Sequence, residues 1–243
     1  MAIGSAPAVS IDEAILRQLQ ARIARGAGTH APHGHQAAAP TSVVITPPRP
    51  RAASADPVSP FTTAWESLGG VVHHAQSAAD AMSIVAAICR SAGADQTLSW
   101  REPDLGVPGI VDGLRRLGIE SDYGWLPADR SERAARLAEL ERIKVGVTGA
   151  SGAIGESGTV VLVSGPGRPR LASLLPPIHV TLLHVSRMHA SLPDFLAAEP
   201  TIADGGSNLV LITGPSRTAD IEMTLTRGVH GPGHVHAVLV HSA

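Results

Sequence analysis

Aromatic residues are nearly missing from this chain: two Phe, one Tyr and three Trp make up 2% of its 243 residues. Its core must be filled by Val, Leu, Ile and Ala, since the hydrophobic share is still 44%, and such filling suits a sheet covered by helices. Cysteine occurs once, as Cys89. A single thiol excludes an intrachain disulfide and cannot ligate the usual four-cysteine iron–sulfur cluster. In the run "MSIVAAIC" it reads as a buried helical side chain. An excess of charge is lacking too. With 19 Lys plus Arg against 21 Asp plus Glu, the net charge is −2. No basic cluster alternates with aromatic platforms, so nucleic acid is not an expected partner. No apolar run approaches the roughly 20 residues that cross a bilayer, and no charged n-region with an apolar h-region opens the chain. The expectation is a soluble, cytoplasmic protein, long enough for one large domain or two small ones.

What is present falls into three parts. Residues 10 to 25 open with "SIDE", a capping-box pattern in which the Ser10 hydroxyl and the Glu13 carboxylate satisfy each other's backbone amides. Ile11, Ile15, Leu19 and Ile23 then form one apolar stripe, so 1–25 carries an N-terminal amphipathic helix. From 26 to 59 the composition turns to Ala, Pro, Gly, Ser and His around "TPPRPR", which reads as an arm or linker. From 60 to 243 helical and strand-like segments alternate. Helices are expected in "FTTAWESLGG", from Ser77 to near Gly93, around "PGIVDGLRRLG" and in "RSERAARLAELERI", where Leu137, Leu140 and Ile143 share a face. Strands are expected in "VVHHA", "TLSW", "KVGVTGA", "GTVVLVSG", "IHVTLLHV", "NLVLITG" and "HVHAVLV", most of them β-branched runs bounded by Gly, Pro or Asn. This pattern predicts an α/β domain: an open, mostly parallel sheet with helices on both faces, and antiparallel pairing where two strands follow closely.

Three Gly-rich segments follow strands: "VTGASGAIGESGT" at 147–159, "SGPGRPR" at 164–170 and "TGPSRTAD" at 213–220. In open α/β sheets, ligands collect outside the carboxyl ends of the strands, which makes all three candidates. None fits the Walker pattern, and "GASGAIG" does not fit the dinucleotide fingerprint. In the third segment, Thr213 ends a strand and Gly214-Pro215 makes a turn. Ser216 and Thr218 then fall at an expected helix start, Arg217 offers a planar fork for carboxylate or phosphate, and Asp220 and Glu222 face the helix's positive end or hold Arg217. A capped helix with a structural ion pair explains the same residues. In the second, successive amides of Gly165 and Gly167 with Arg168 or Arg170 form an anion nest or a plain connection. In the first, Glu156 is a candidate base or nucleophile, or caps a turn. His230, His234 and His236 could ligate a metal, but no site is assigned, and His230 and His236 are preferred as hydrogen-bonding groups beside the Gly-Pro turn.

Three blocks together, "GVTGASGAIGESGTVVLVSGPGRPRLASLLPPIHV", "LITGPSRTADIE" and "GVHGPGHVHAVLV", resemble the signature of the LUD-domain proteins, the lactate-utilisation protein C family. The likeness runs from about Phe61 to the C-terminus and is strongest after Val145. Gly155 and Ser157 depart from a family pattern closer to "AIAETGT", and His234 stands where the family has an acid. The resemblance implies a fold like those of glucosamine-6-phosphate deaminase, ribose-5-phosphate isomerase and the CoA transferases. It also implies a role in oxidising L-lactate to pyruvate with two partners, a protein rich in paired cysteines and a larger iron–sulfur protein. No cofactor is then expected in this chain, and the clusters belong to the partners. The candidate ligand residues are Gly149, Ser151, Ser157, Gly158, Thr159, Gly165, Gly167, Arg168, Thr213, Gly214, Ser216, Arg217, Thr218, Asp220, His230 and His236, for a small carboxylate or a phosphate. Glu156 is the candidate for chemistry. The alternative is a stand-alone isomerase or CoA-transferase-like enzyme using Glu156 on a phosphorylated or acyl substrate.

Overall fold

The apolar runs "KVGVTG", "IHVTLLH" and "HVHAVLV" lack the alternation of a half-exposed strand, and each is buried on both sides. In the computed structural model, which describes residues 56–219, 225–227 and 231–242, they are β4 (Val145–Gly149), β7 (Ile178–His184) and β12 (His234–Val240). With β1 (Val71–Ala75), β2 (Gln96–Ser99) and β3 (Glu120–Asp122) they form a six-stranded sheet in the order β1-β12-β7-β4-β2-β3. Every pairing in it is parallel, and parallel strands of this kind need cover on both faces.

That cover can be read from β12, because successive side chains of a strand point to opposite faces. Val238 and Val240 pack with Val85 and Cys89 of α2 (Ala78–Ser91) and with Ile110 and Leu114 of α4 (Ile110–Arg116). Val235, Ala237 and Leu239 pack with Phe61 and Trp65 of α1 (Val58–Ser67). Those two rings are fully buried and stacked, with centroids 5.6 Å apart, so two of the chain's six aromatic side chains pack together from one helix. Cys89 is buried on α2 as expected, and burial pushes its thiol up to about 11, which leaves it an inert core side chain.

Side-chain caps open two of the helices, one at the expected Ser77 and one at Asp129. Ser77 Oγ accepts from the Asp80 amide at the start of α2, and Asp129 accepts from the Ser131 and Glu132 amides at the start of α5 (Arg130–Leu140). On and just beyond α5, Leu140 and Ile143 are buried. Two short helices complete the set, α3 (Glu102–Leu105) after β2 and α6 (Leu192–Ala198).

The excursions from β4 to β7 and from β7 to β12 build a second sheet. It has the order β8-β5-β6-β9 from β5 (Gly152–Ile154), β6 (Thr159–Ser164), β8 (Met188–His189) and β9 (Asn208–Ile212). β5 and β6, adjacent in sequence, pair antiparallel, and so do β6 and β9. After β9 the chain does not enter the expected helix. β10 (Arg217–Ala219) pairs antiparallel with β11 (Leu225–Arg227), with Thr218 opposite Thr226. The expected N-terminal helix at 1–25 and most of the expected arm at 26–59 lie outside the described residues. Among the described residues no helix is long and apolar enough to cross a membrane.

Candidate functional site

β2 and β4 are neighbours whose connections leave in opposite directions: β2 leads outward to β3, while β4 leads towards β7 and β12. This is the topological switch point of the sheet, where the connections diverge and a crevice opens at the carboxyl ends. A cavity of about 220 Å³ lies there, lined by Trp100 after β2, Ala150 and Ser151 after β4, and Leu182, His184 and Arg187 at the end of β7. Asp104, Leu105 and Gly106 close one side and Arg168 another. Gly149 ends β4 beneath α3, where a Cβ would fall 2.4 Å from the Asp104 carbonyl. Only glycine lets the two backbones approach so closely.

Arg168 is presented by the segment "SGPGRPR", in which Gly165 and Arg168 exchange backbone hydrogen bonds of 3.1 and 2.9 Å around Pro166 and Gly167. Gly167 has φ +77°, and with Pro166 before it this makes the Pro-Gly pair of a type II turn. Its carbonyl accepts from the Arg101 amide, tying the turn to the end of β2. The guanidinium donates to the Gly205 carbonyl at 2.8 Å, and its Nε lies 3.7 Å from an Asp104 carboxylate oxygen. That separation is an ion pair without a hydrogen bond, and the buried Nε has no other partner among the described residues. Arg187 is exposed at the rim and makes no hydrogen bond or ion pair among the described residues. His184 bonds through Nε2 to the Gly106 carbonyl at 3.1 Å. The cavity thus carries two guanidiniums against one carboxylate. Its size, below the roughly 300–1,000 Å³ of drug-sized sites, suits a small anion.

The other candidates are not gathered here. Glu156 lies in the turn from β5 to β6, exposed, with its carboxylate accepting from the Leu192 amide at the start of α6. Carboxylates favour that helix end. Ser157, Thr159 and Thr213 form a chain of hydroxyls, with 2.7 Å between the first two and 2.9 Å between the last two. Gly158 is buried beside them beneath the backbone of Ala64 and Trp65. Thr213, Gly214 and Ser216 line a second cavity of about 250 Å³ with Gly231, Pro232, Val235 and His179. It lies at the amino ends of β7 and β12, away from the crevice. The Ser216 amide, which a helix start would leave free, donates to the Pro232 carbonyl at 2.9 Å. Arg217 and Thr218 are on β10, and Asp220, Glu222 and His230 lie outside the described residues. His236 lines neither cavity: its Nδ1 pairs with His73 Nε2 at 3.0 Å, and burial lowers its pKa to about 4, helped by the charges of His73 and His234. Among the described residues, no group of three His, Cys, Asp or Glu side chains is placed to hold a metal.

Attention to Gly-rich loops missed His184, Arg187, Asp104 and His179. The first two were legible from the rule that ligand groups collect at the carboxyl ends of strands, since His184 is next to last in the expected strand "IHVTLLHV" and Arg187 lies two residues beyond it. Asp104 and His179 gave no local signal, because one faces Arg168 across the crevice and the other is buried against β4. His179 is 1% exposed, with Nε2 2.9 Å from Thr148 Oγ1 and 3.3 Å from Thr181 Oγ1 and with Nδ1 unpartnered. Burial, with the His236 charge as a lesser cause, lowers its pKa to about 3.

Several known proteins share this sequence or this fold. Lactate utilization protein C of Halalkalibacterium halodurans is 34% identical over 143 residues, 57% of this chain and 60% of that protein. The protein of the same name from Bacillus licheniformis is 41% identical over 114 residues, 45% of this chain and 46% of that one. An uncharacterised protein of Neisseria meningitidis is 42% identical over 91 residues, 37% of this chain and 39% of that protein. The chain therefore spans 39 to 60% of the length of these relatives. The crystal structure of a DUF162 family protein from Deinococcus radiodurans has the same fold, with a TM-score of 0.53 at 20% identity over 76% of this chain and 96% of that one. The family model of the LUD domain matches residues 58–240, and the chain belongs to the LUD-domain family.

Proposed function

We propose that this LUD-domain chain is a cytoplasmic, cluster-free component of a system that oxidises L-lactate to pyruvate. Iron–sulfur partner proteins carry the electrons, and this chain holds the small carboxylate in the crevice above β2, β4 and β7. The observation that carries the reading is the pair of guanidiniums there, Arg168 offset by Asp104 and Arg187 without a partner among the described residues. A guanidinium presents a planar fork that matches a carboxylate, and at a switch point it faces an open, partly desolvated cavity. Lactate as the carboxylate is supported by the names of the relatives at 34 and 41% identity. The single buried thiol cannot ligate the usual four-cysteine cluster, which supports placing the clusters on partner proteins.

The rival reading, a stand-alone isomerase or CoA-transferase-like enzyme working through Glu156, draws less support. That carboxylate is committed to an amide of α6 and lines neither cavity.

A tagged chain purified from lactate-grown cells is expected to bring down a cysteine-rich iron–sulfur protein and to oxidise no lactate when isolated. Turnover of an acyl-CoA or sugar phosphate by the isolated chain, abolished by Glu156→Gln, would favour the rival. For the pocket, Arg187→Ala is expected to weaken lactate binding at least tenfold in calorimetry. A folded variant that binds lactate as the parent does would remove the crevice from the reading.

A further inference from the structure

His184 gives the crevice a means of telling a 2-hydroxy acid from its oxidised form. A neutral imidazole has one nitrogen that donates and one that accepts, and the partner of one fixes the role of the other. The Gly106 carbonyl can only accept, so the bond to it at 3.1 Å places the proton on Nε2. Nδ1 is then an acceptor, without a partner among the described residues, on a residue that lines the same cavity as Arg168 and Arg187. The end of β7 thus carries an acceptor and a guanidinium three positions apart, His184 and Arg187.

We infer that His184 Nδ1 accepts a hydrogen bond from the 2-hydroxyl of a bound 2-hydroxy monocarboxylate whose carboxylate rests on Arg187 and Arg168. This rests on the carboxylate reading of the crevice and adds its chemical selectivity. A 2-oxo acid has only lone pairs at that position, so it meets the Nδ1 lone pair with repulsion where the hydroxyl meets it with a bond. A site built to pair with a hydroxyl discriminates against the analogue lacking the donor, because its own polar group is then left unpaired. The crevice therefore retains the reduced acid and releases the oxidised one. Gly106 is a positioning group in this arrangement: its carbonyl fixes the tautomer, as an outer partner does for a metal-bound histidine.

The test is calorimetry of the full chain at pH 8 with L-lactate, pyruvate and propionate, which share the carboxylate and differ at carbon 2. L-Lactate is expected to bind about tenfold more tightly than either of the others, and His184→Leu to weaken lactate to the level of propionate while leaving pyruvate unchanged or tighter. Equal binding of lactate and pyruvate by the parent, or a preference that survives in His184→Leu, overturns the inference while leaving the carboxylate pocket in place. Absence of binding of all three acids to the parent, or binding of all three unchanged in Arg187→Ala, overturns the pocket and the inference with it.

Discussion

Replacing His179 with Gln should make the fold markedly less sensitive to acid. An unfolded histidine titrates near 6.5, while the ring held between Thr148 and Thr181 titrates at about 3. A depressed histidine pKa means that the unfolded chain takes up a proton the folded chain refuses. Stability from this group is complete above about pH 6.5 and is lost as pH falls towards 3. Between pH 7.5 and pH 4.5 the solution passes about two units below the unfolded value, which costs about 2.7 kcal/mol at roughly 1.4 kcal/mol per unit. Urea unfolding, followed by fluorescence of the buried Trp65 and Trp100, reads this as a fall in midpoint at unchanged slope. Carboxylates and His73 titrate in both chains and drop out of the comparison, and His236, the lesser cause of the His179 shift, adds only a small difference. The parent should therefore lose about 2–3 kcal/mol more than His179→Gln over this range. If the two stability curves run parallel from pH 7.5 to 4.5, His179 is not buried as a neutral ring and the reasoning fails.

Other outcomes follow from packing and charge. Phe61→Ala should cost about 3–5 kcal/mol, since the ring is fully buried against Trp65 beneath the sheet, and thermal unfolding reads the loss. Glu156→Ala should cost only about 0.5–1 kcal/mol, the scale of a helix-end contact at an exposed site. Asp104→Asn removes the carboxylate that competes for Arg168 and should tighten lactate binding about two- to fivefold in calorimetry, a surface-scale effect because both partners are partly exposed. Weaker binding in that variant would mean that Asp104 holds Arg168 in place for the ligand.

Most of the main sheet was legible because fully buried parallel strands must be continuous apolar runs, and β4, β7 and β12 are such runs. The cap at Ser77 likewise acts through a neighbouring amide, which sequence shows directly. β5 was hidden because "GAI" is three residues among glycines, and its strand character comes from pairing with β6 and β8 rather than from propensity. The turn at Gly214-Pro215 was legible but its continuation was not: hydroxyls suit a helix cap and a β-ribbon alike, and the backbone pairing of β10 is made with β11, whose residues are distant from the turn. Arg168 and Ser151, singled out through their loops, line the crevice. The loops themselves divide between two ends of the sheet, which only the crossing of strands determines.

The place of β1 bears on how the chain is made. β1 pairs with β12, and the bonded histidines His73 and His236 stand 163 residues apart. At about 5–20 residues per second of synthesis, β1 leaves the ribosome on the order of ten seconds before β12 exists. Until then β7 has no neighbour on that side either, so a nascent chain exposes two apolar strand edges of the kind that recruit other chains. The step that seals the domain is the insertion of its last described strand between its first and its middle ones. Loop closure over such a span makes that step slow, and holding those edges apart is a task the cell's chaperones would meet during synthesis rather than after it.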